Sequence, residues 1–255
     1  MKKGVILYSR EDSLATITLD NPEAGNIINA ATVAELADIC DDISGDDGIR
    51  TVIVTGKEHF SKGTDRQEIA QEEDRESLIE RLSAASLIAG LDRPTIAAID
   101  GDAFGQGLEM ALACDIRICS DTARFSMDHA IFGDIPWDGG TQRLARLVGR
   151  GNALQMILCT EIIDAGEAHR IGLVGRVVPA GELLKEAVAT AREIAAKGPI
   201  ALRYVREAVY KGMDLTLAQG LRLEADLYFL LHTTRDRTEG VTAFREKRIP
   251  HFTGR

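Results

Sequence analysis

Two glycine-bearing turns carry the first candidate chemistry. The segment from Gly56 through Gly63 and Thr64 to Asp65 reads as the end of a strand, a glycine and the start of a helix. The segment from Ile99 through Gly101, Gly105, Gln106 and Gly107 to Glu109 repeats that order. A chain passing from strand to helix leaves backbone N–H groups unpaired, and the partial positive charge of a helix N-terminus attracts anions. Two such turns could flank one oxyanion. As a dinucleotide loop the second turn is incomplete, because Met110 stands where the third glycine belongs and the unit comes mid-chain. On glycine content alone, both segments could also be simple tight turns. No metal-ligand cluster, phosphate-binding loop or Gly-x-Ser-x-Gly elbow competes for the chemistry.

The surrounding pattern supplies elements to hold these turns. Gly4–Ser9, Leu14–Leu19 and the β-branched run Thr51–Thr55 read as strands. Between the last two, Val33, Leu36, Ala37, Ile39, Cys40 and Ile43 keep helical spacing, and the run from Ser44 to Gly48 ends it. The alternation continues with a helix over Glu76–Gly90, a strand at Thr95–Ile99, a short helix near Gln106–Ala113 and a strand at Asp115–Cys119. Asp164 and Glu167 form a capping-box pattern, and Val174–Val178 is a further strand. From Glu182 onward the chain reads as helical. Repeated alternation predicts an α/β architecture without low-complexity linkers.

Bulk properties narrow the setting. With 255 residues the chain can bury a substantial core. Cys40, Cys114, Cys119 and Cys159 lie in apolar stretches without metal-ligand spacing, so they are expected as buried reduced thiols of a cytoplasmic protein. After Met1 to Gly4 the apolar run spans only Val5 to Tyr8, too short for an export signal or membrane span. A formal net charge of −10 argues against nucleic acid as partner, while leaving room for a local patch that holds a phosphorylated ligand.

From Leu19–Pro22 to Ala243–Arg248 the chain resembles the crotonase (enoyl-CoA hydratase/isomerase) superfamily. Arg93–Gly101, Glu109–Asp115, Ile135–Pro136 with Gly140–Leu144, and Ala168–Val174 carry the resemblance between these ends. It implies a crotonase-like spiral of repeated ββα units with a C-terminal helical trimerisation section, as a homotrimer or dimer of trimers. The corresponding division is an α/β core with the active site over residues 1–195 and a helical oligomerisation section over residues 196–255. It also implies that the amides of Thr64 and Gln106 form an oxyanion hole around a thioester or ketone oxygen, where losing one donor costs about 3–4 kcal/mol in the transition state. Gln106 stands where glycine is usual, so its side chain either narrows the pocket or adds a contact. No prosthetic group is expected. Coenzyme A enters as part of the substrate, with Phe244 and Lys247 matching tail positions that contact CoA on a neighbouring subunit. Glu23 and Glu58 replace lysines often found near the CoA phosphates, although Lys57 and Lys62 lie beside the second.

Two positions depart from a hydratase. The family's first catalytic glutamate is kept as Glu109, but His129 takes the place of the second, and Trp137 replaces a glycine whose amide helps hold water. Trp137 is accordingly expected to wall the substrate pocket. His129 followed by Asp138 is similar to the His/Asp pair of the family's carbon–carbon bond hydrolases of the 6-oxocamphor hydrolase type, with Asp134 as a rival partner. A neutral imidazole can take a proton from water while a carboxylate fixes its tautomer. Asp138 could instead cap a helix opening at Gly139 and Gly140. The leading expectation is hydrolytic C–C cleavage of a β-oxo acyl-CoA or cyclic β-diketone, with Glu109 protonating the departing enolate. The alternative is a hydratase or isomerase acting on a 2-enoyl-CoA, and a third reading is a non-catalytic binding or scaffold protein.

Overall fold

The computed structural model describes residues 4–71 and 75–255. In chain order the elements begin with β1 (Ile6–Glu11), β2 (Leu14–Leu19), α1 (Ala30–Gly45), β3 (Thr51–Gly56), α2 (Arg66–Gln71), α3 (Arg75–Leu82) and α4 (Ala84–Gly90). They continue with β4 (Thr95–Ile99), β5 (Asp102–Phe104), α5 (Gln106–Ala113), β6 (Ile116–Ser120), β7 (Arg124–Ser126), α6 (Gly140–Cys159), β8 (Ile163–Asp164), α7 (Ala165–Arg170) and β9 (Arg176–Val178). The chain ends in α8 (Leu183–Ala195), α9 (Pro199–Gly212), α10 (Leu217–Leu231) and α11 (Arg235–Glu246).

One six-stranded sheet runs β1-β2-β3-β4-β6-β9, antiparallel only between β1 and β2, and a three-stranded sheet runs β5-β7-β8. Parallel strands covered on both faces become continuous apolar runs, which is why β3 reads Thr-Val-Ile-Val-Thr. Its Val52 and Val54 enter the larger core with α1, α4 and α5, while Ile53 enters a second cluster against Leu183, Ala187 and Ala191 of α8. Edge strand β1 has only Ile6 buried.

The repeating unit is a long strand, a short strand and a helix. β4, β5 and α5 make one turn, and β6, β7 and α6 make the next. An isolated parallel bridge from Ser61 to Ala103 of β5 makes the turn of β3 and α2 equivalent. Thr64, Gln106 and His129 each follow the short strand of successive turns, so the spiral brings them to one edge.

Several expectations are corrected by tertiary contacts. The helix expected over Glu76–Gly90 is two helices broken at Ser83, because the Leu82 carbonyl and the Ala85 and Ser86 amides take partners from elsewhere in the chain. The capping box at Asp164 is half formed: Asp164 accepts from the Glu167 amide, but the Glu167 carboxylate pairs with Arg170. A complete box caps α10 instead, through Thr216 and Gln219. Cys40, Cys114 and Cys119 are buried, and burial pushes each thiol up to about 12, whereas Cys159 at the end of α6 is exposed. Short strands β5, β7 and β8 have too few residues to leave a periodic signal. Among the described residues no helix is long and apolar enough to cross a membrane.

The two-sided burial of β3 is open to test. Ile53→Ala should destabilise the native state by about 2–5 kcal/mol, the usual cost of truncating a fully buried isoleucine. Urea unfolding of the variant measures it, and a loss under about 1 kcal/mol would contradict close packing of β3 on α8.

Candidate active site

The segment Phe60–Thr64 is stitched between two others. Phe60 and Ser61 donate backbone hydrogen bonds to Asp100 and Asp102, and Phe104 donates to Ser61. On the opposite side Ile28 donates to Gly63, and Asp65 donates back to Ile28. Gly107 is required where the two turns press together, because a Cβ there would stand 2.4 Å from the Ser61 carbonyl oxygen. A Cβ on Gly63 would lie 3.7 Å from the Gln106 amide nitrogen, so the two turns meet. Among the described residues neither the Thr64 nor the Gln106 amide donates a hydrogen bond. The arrangement leaves two unpaired N–H groups side by side, one at the first residue of α5, and suits an oxygen that gains negative charge.

Every residue of α5 is buried, including Glu109. Burying a carboxylate without partners is costly. Here Oε1 accepts from the amides of Asp138 at 2.9 Å and Gly140 at 2.7 Å, at the opening of α6. Oε2 has no hydrogen-bond partner among the described residues and faces His129 Nε2 at 3.4 Å. His129, in the 3-10 turn Asp128–Phe132, is fully buried, and neither ring nitrogen has a hydrogen-bond partner among the described residues. Trp137 stands edge-on to the imidazole, with ring centroids 5.4 Å apart, and its indole N–H has no acceptor among the described residues. One anchored and one free carboxylate oxygen, beside an imidazole and an aromatic ring, can exchange protons with a molecule bound next to them.

The expected partnership of His129 with Asp138 is not formed. The Asp138 carboxylate accepts from the Ala85 amide at 2.6 Å, the Ser86 amide at 3.0 Å and the Ser86 hydroxyl at 2.7 Å. It therefore caps α4, across the site from the helix that follows it in sequence. Burial outweighs these hydrogen bonds and raises its pKa above the ordinary carboxylate value. Asp134 is not the partner either, since its carboxylate accepts from the Ile135 amide and lies 3.9 Å from Arg66. The imidazole faces Glu109 instead.

Three further features carry no signal in isolation. Gln106 contributes its side chain as well as its amide: Oε1 accepts from the Thr64 hydroxyl at 2.9 Å, and Nε2 donates to the Leu82 carbonyl. Arg66, two residues beyond Thr64, lies 4.0 Å over the Phe132 ring and 4.0 Å from Asp128, which joins α2 to the His129 turn. Ser86 holds Asp138. Only the adjacency of Asp128 to His129 could have been noticed in sequence. Phe244 is 84% exposed on α11, and Lys247 is exposed at its C-terminal end.

A family model described as enoyl-CoA hydratase/isomerase matches residues 9–255. A probable enoyl-CoA hydratase of Mycobacterium tuberculosis is 38% identical over 257 residues, covering 100% of both chains. The crotonyl-CoA hydratase of Syntrophomonas wolfei is 37% identical, covering 97% of each. The solved enoyl-CoA hydratase of Bacillus anthracis superposes with a TM-score of 0.93 at 36% identity, covering 98% of this chain and 100% of that one.

The capping role of Asp138 has a pH signature. Because its folded pKa is raised, the native state holds this proton more tightly than the unfolded chain. The associated stability is full below the ordinary carboxylate value and is lost as pH rises through the raised one. Asp138→Asn removes that slope, so wild-type stability should fall relative to the variant across this window and run parallel above it. Urea unfolding over a pH series reads the difference, and parallel curves throughout would contradict the raised value.

Proposed function

Because the chain belongs to the enoyl-CoA hydratase/isomerase (crotonase) family, whose substrate is a CoA thioester and which carries no prosthetic group, we propose that it reversibly hydrates a 2-enoyl-CoA with Glu109 and His129 as its acid–base pair. The observation that carries the reading is the 3.4 Å approach of Glu109 Oε2 to His129 Nε2, both buried and otherwise unpartnered.

The amides of Thr64 and Gln106 receive the thioester oxygen and stabilise the enolate as water adds to the β-carbon. The Glu109 carboxylate takes a proton from the attacking water, and the His129 imidazolium gives one to the α-carbon. Proton transfer from Glu109 to His129 across their short separation restores the starting state. Dehydration uses the same groups in reverse. Trp137 walls the reacting carbons, and its own backbone amide, unpaired among the described residues, retains the donor that a glycine would present. The hydrolytic reading loses its structural support, since Asp138 and Asp134 are both engaged away from His129 and the relatives named above are hydratases.

Residues 196–255 serve as an oligomerisation section. Leu217, Leu221 and Tyr228 of α10 are 79%, 56% and 55% exposed and share one side of the helix, a face suited to burial against other copies of the chain. Phe244 and Lys247 then reach the CoA bound to a neighbour.

Two outcomes check this reading. On a 2-enoyl-CoA, loss of the conjugated thioester absorbance with gain of one water by mass spectrometry is expected. Glu109→Gln and His129→Ala should each lower kcat by roughly two to four orders of magnitude. Ring-opened or chain-cleaved products from diketones or 3-oxoacyl-CoA, without enoyl-CoA hydration, would reject it in favour of hydrolysis. For the assembly, light scattering should give an oligomer at micromolar protein and Lys247→Ala should raise KM for the thioester. A monomer would sink the shared CoA site.

A further inference from the structure

We propose that the side chain of Gln106, together with the Thr64 hydroxyl, is a strut that sets the spacing of the two oxyanion-hole amides. The inference rests on the reading of those amides given above and assigns the side chains of the same two residues a separate, positioning task.

The argument begins with how the two turns are joined. Upstream, backbone hydrogen bonds between Ser61 and both Asp102 and Phe104 zip them together. Beyond Gly63 no backbone bond joins them among the described residues, and none is chemically permitted if the Thr64 and Gln106 amides are to remain unpaired for an oxyanion. At that point the seam passes to side chains. Thr64 Oγ1 donates to Gln106 Oε1 at 2.9 Å, bridging the same two residues that present the amides.

The far end of Gln106 is also fixed. Nε2 donates to the Leu82 carbonyl at the end of α3 and lies 3.5 Å from Asp138 Oδ2. Leu82 is the last residue before the α3–α4 break, and Asp138 caps α4 while its own amide holds Glu109 Oε1. One wholly buried side chain thus ties the first residue of α5 to the Thr64 turn, the α3–α4 junction and the loop that anchors the general base. Its polarity fits only an amide: an acceptor meets the Thr64 hydroxyl, and a donor meets a carbonyl and a carboxylate. A glutamate of the same shape would set acceptor against acceptor. Oxyanion donors work only when held in place before charge develops, and a misplacement near 1 Å costs about a hundredfold in rate.

The test uses Thr64→Val, which keeps shape but removes the hydroxyl, Thr64→Ser, which keeps the hydroxyl, and Gln106→Glu. Each is assayed for kcat and KM on a 2-enoyl-CoA. Each is also titrated with acetoacetyl-CoA, whose enolate absorbance reports on the oxyanion hole without turnover. Thr64→Val and Gln106→Glu should lower kcat by about tenfold to a hundredfold with KM changed less than about threefold, and should reduce the bound enolate; Thr64→Ser should retain both. Wild-type kcat and enolate signal in Thr64→Val would overturn the strut while leaving hydration standing. So would a loss that Thr64→Ser shares and that tracks thermal stability alone. If Gln106→Glu does not fold, the valine and serine pair still decides. If the wild type hydrates no enoyl-CoA yet Thr64→Val loses the enolate signal, the hydration reading falls and the strut remains.

Discussion

Two buried carboxylates, Glu109 and Asp138, are held by helix N-termini, and the site depends on three such ends converging. The opening amides of α6 hold Glu109, those of α4 hold Asp138, and the first amide of α5 is left without an acceptor among the described residues. A buried carboxylate is tolerable only when its oxygens are hydrogen-bonded, and a helix N-terminus supplies oriented donors with a favourable dipole. Gripping one oxygen of Glu109 twice fixes the carboxylate while leaving the other oxygen chemically available.

The spiral explains why three such ends meet. Each turn runs from the six-stranded sheet through a short strand of the second register and into a helix, so equivalent residues of successive turns stack. Thr64, Gln106 and His129 occupy that same place in consecutive turns. Repetition of one local geometry therefore yields two adjacent amide donors and an imidazole beside them. Double-sided burial of β3 and β4 makes this edge rigid, since neither strand can shift without opening both hydrophobic clusters.

The same helix ends bear on two of the positions at which the chain departs from its family, Gln106 and His129. Gln106 places a side chain where glycine is usual, and that side chain is absorbed into the seam between the turns. With Asp138 committed to α4, the carboxylate that faces His129 among the described residues is that of Glu109.

Much of this was legible in the linear chain. The strand and helix periods place β2, β3, β4 and α5 almost to the residue, because a covered parallel strand and a short helix opened by a glycine leave strong local patterns. The two turns are named from the order of their glycines, while Glu109 and His129 are singled out by the resemblance to the family. What sequence could not assign were partners. The resemblance to the family's carbon–carbon bond hydrolases points to a His129–Asp138 pair, but the Ala85 and Ser86 amides, 53 and 52 residues upstream of Asp138, claim its carboxylate. That break is itself invisible in an unbroken apolar period, since it exists only because Gln106 and Asp138 satisfy the backbone groups it exposes. Residue type and local conformation are set by near neighbours along the chain. Which buried donor meets which acceptor is set by three-dimensional packing, where each buried polar group takes whichever partner the fold brings within about 3 Å.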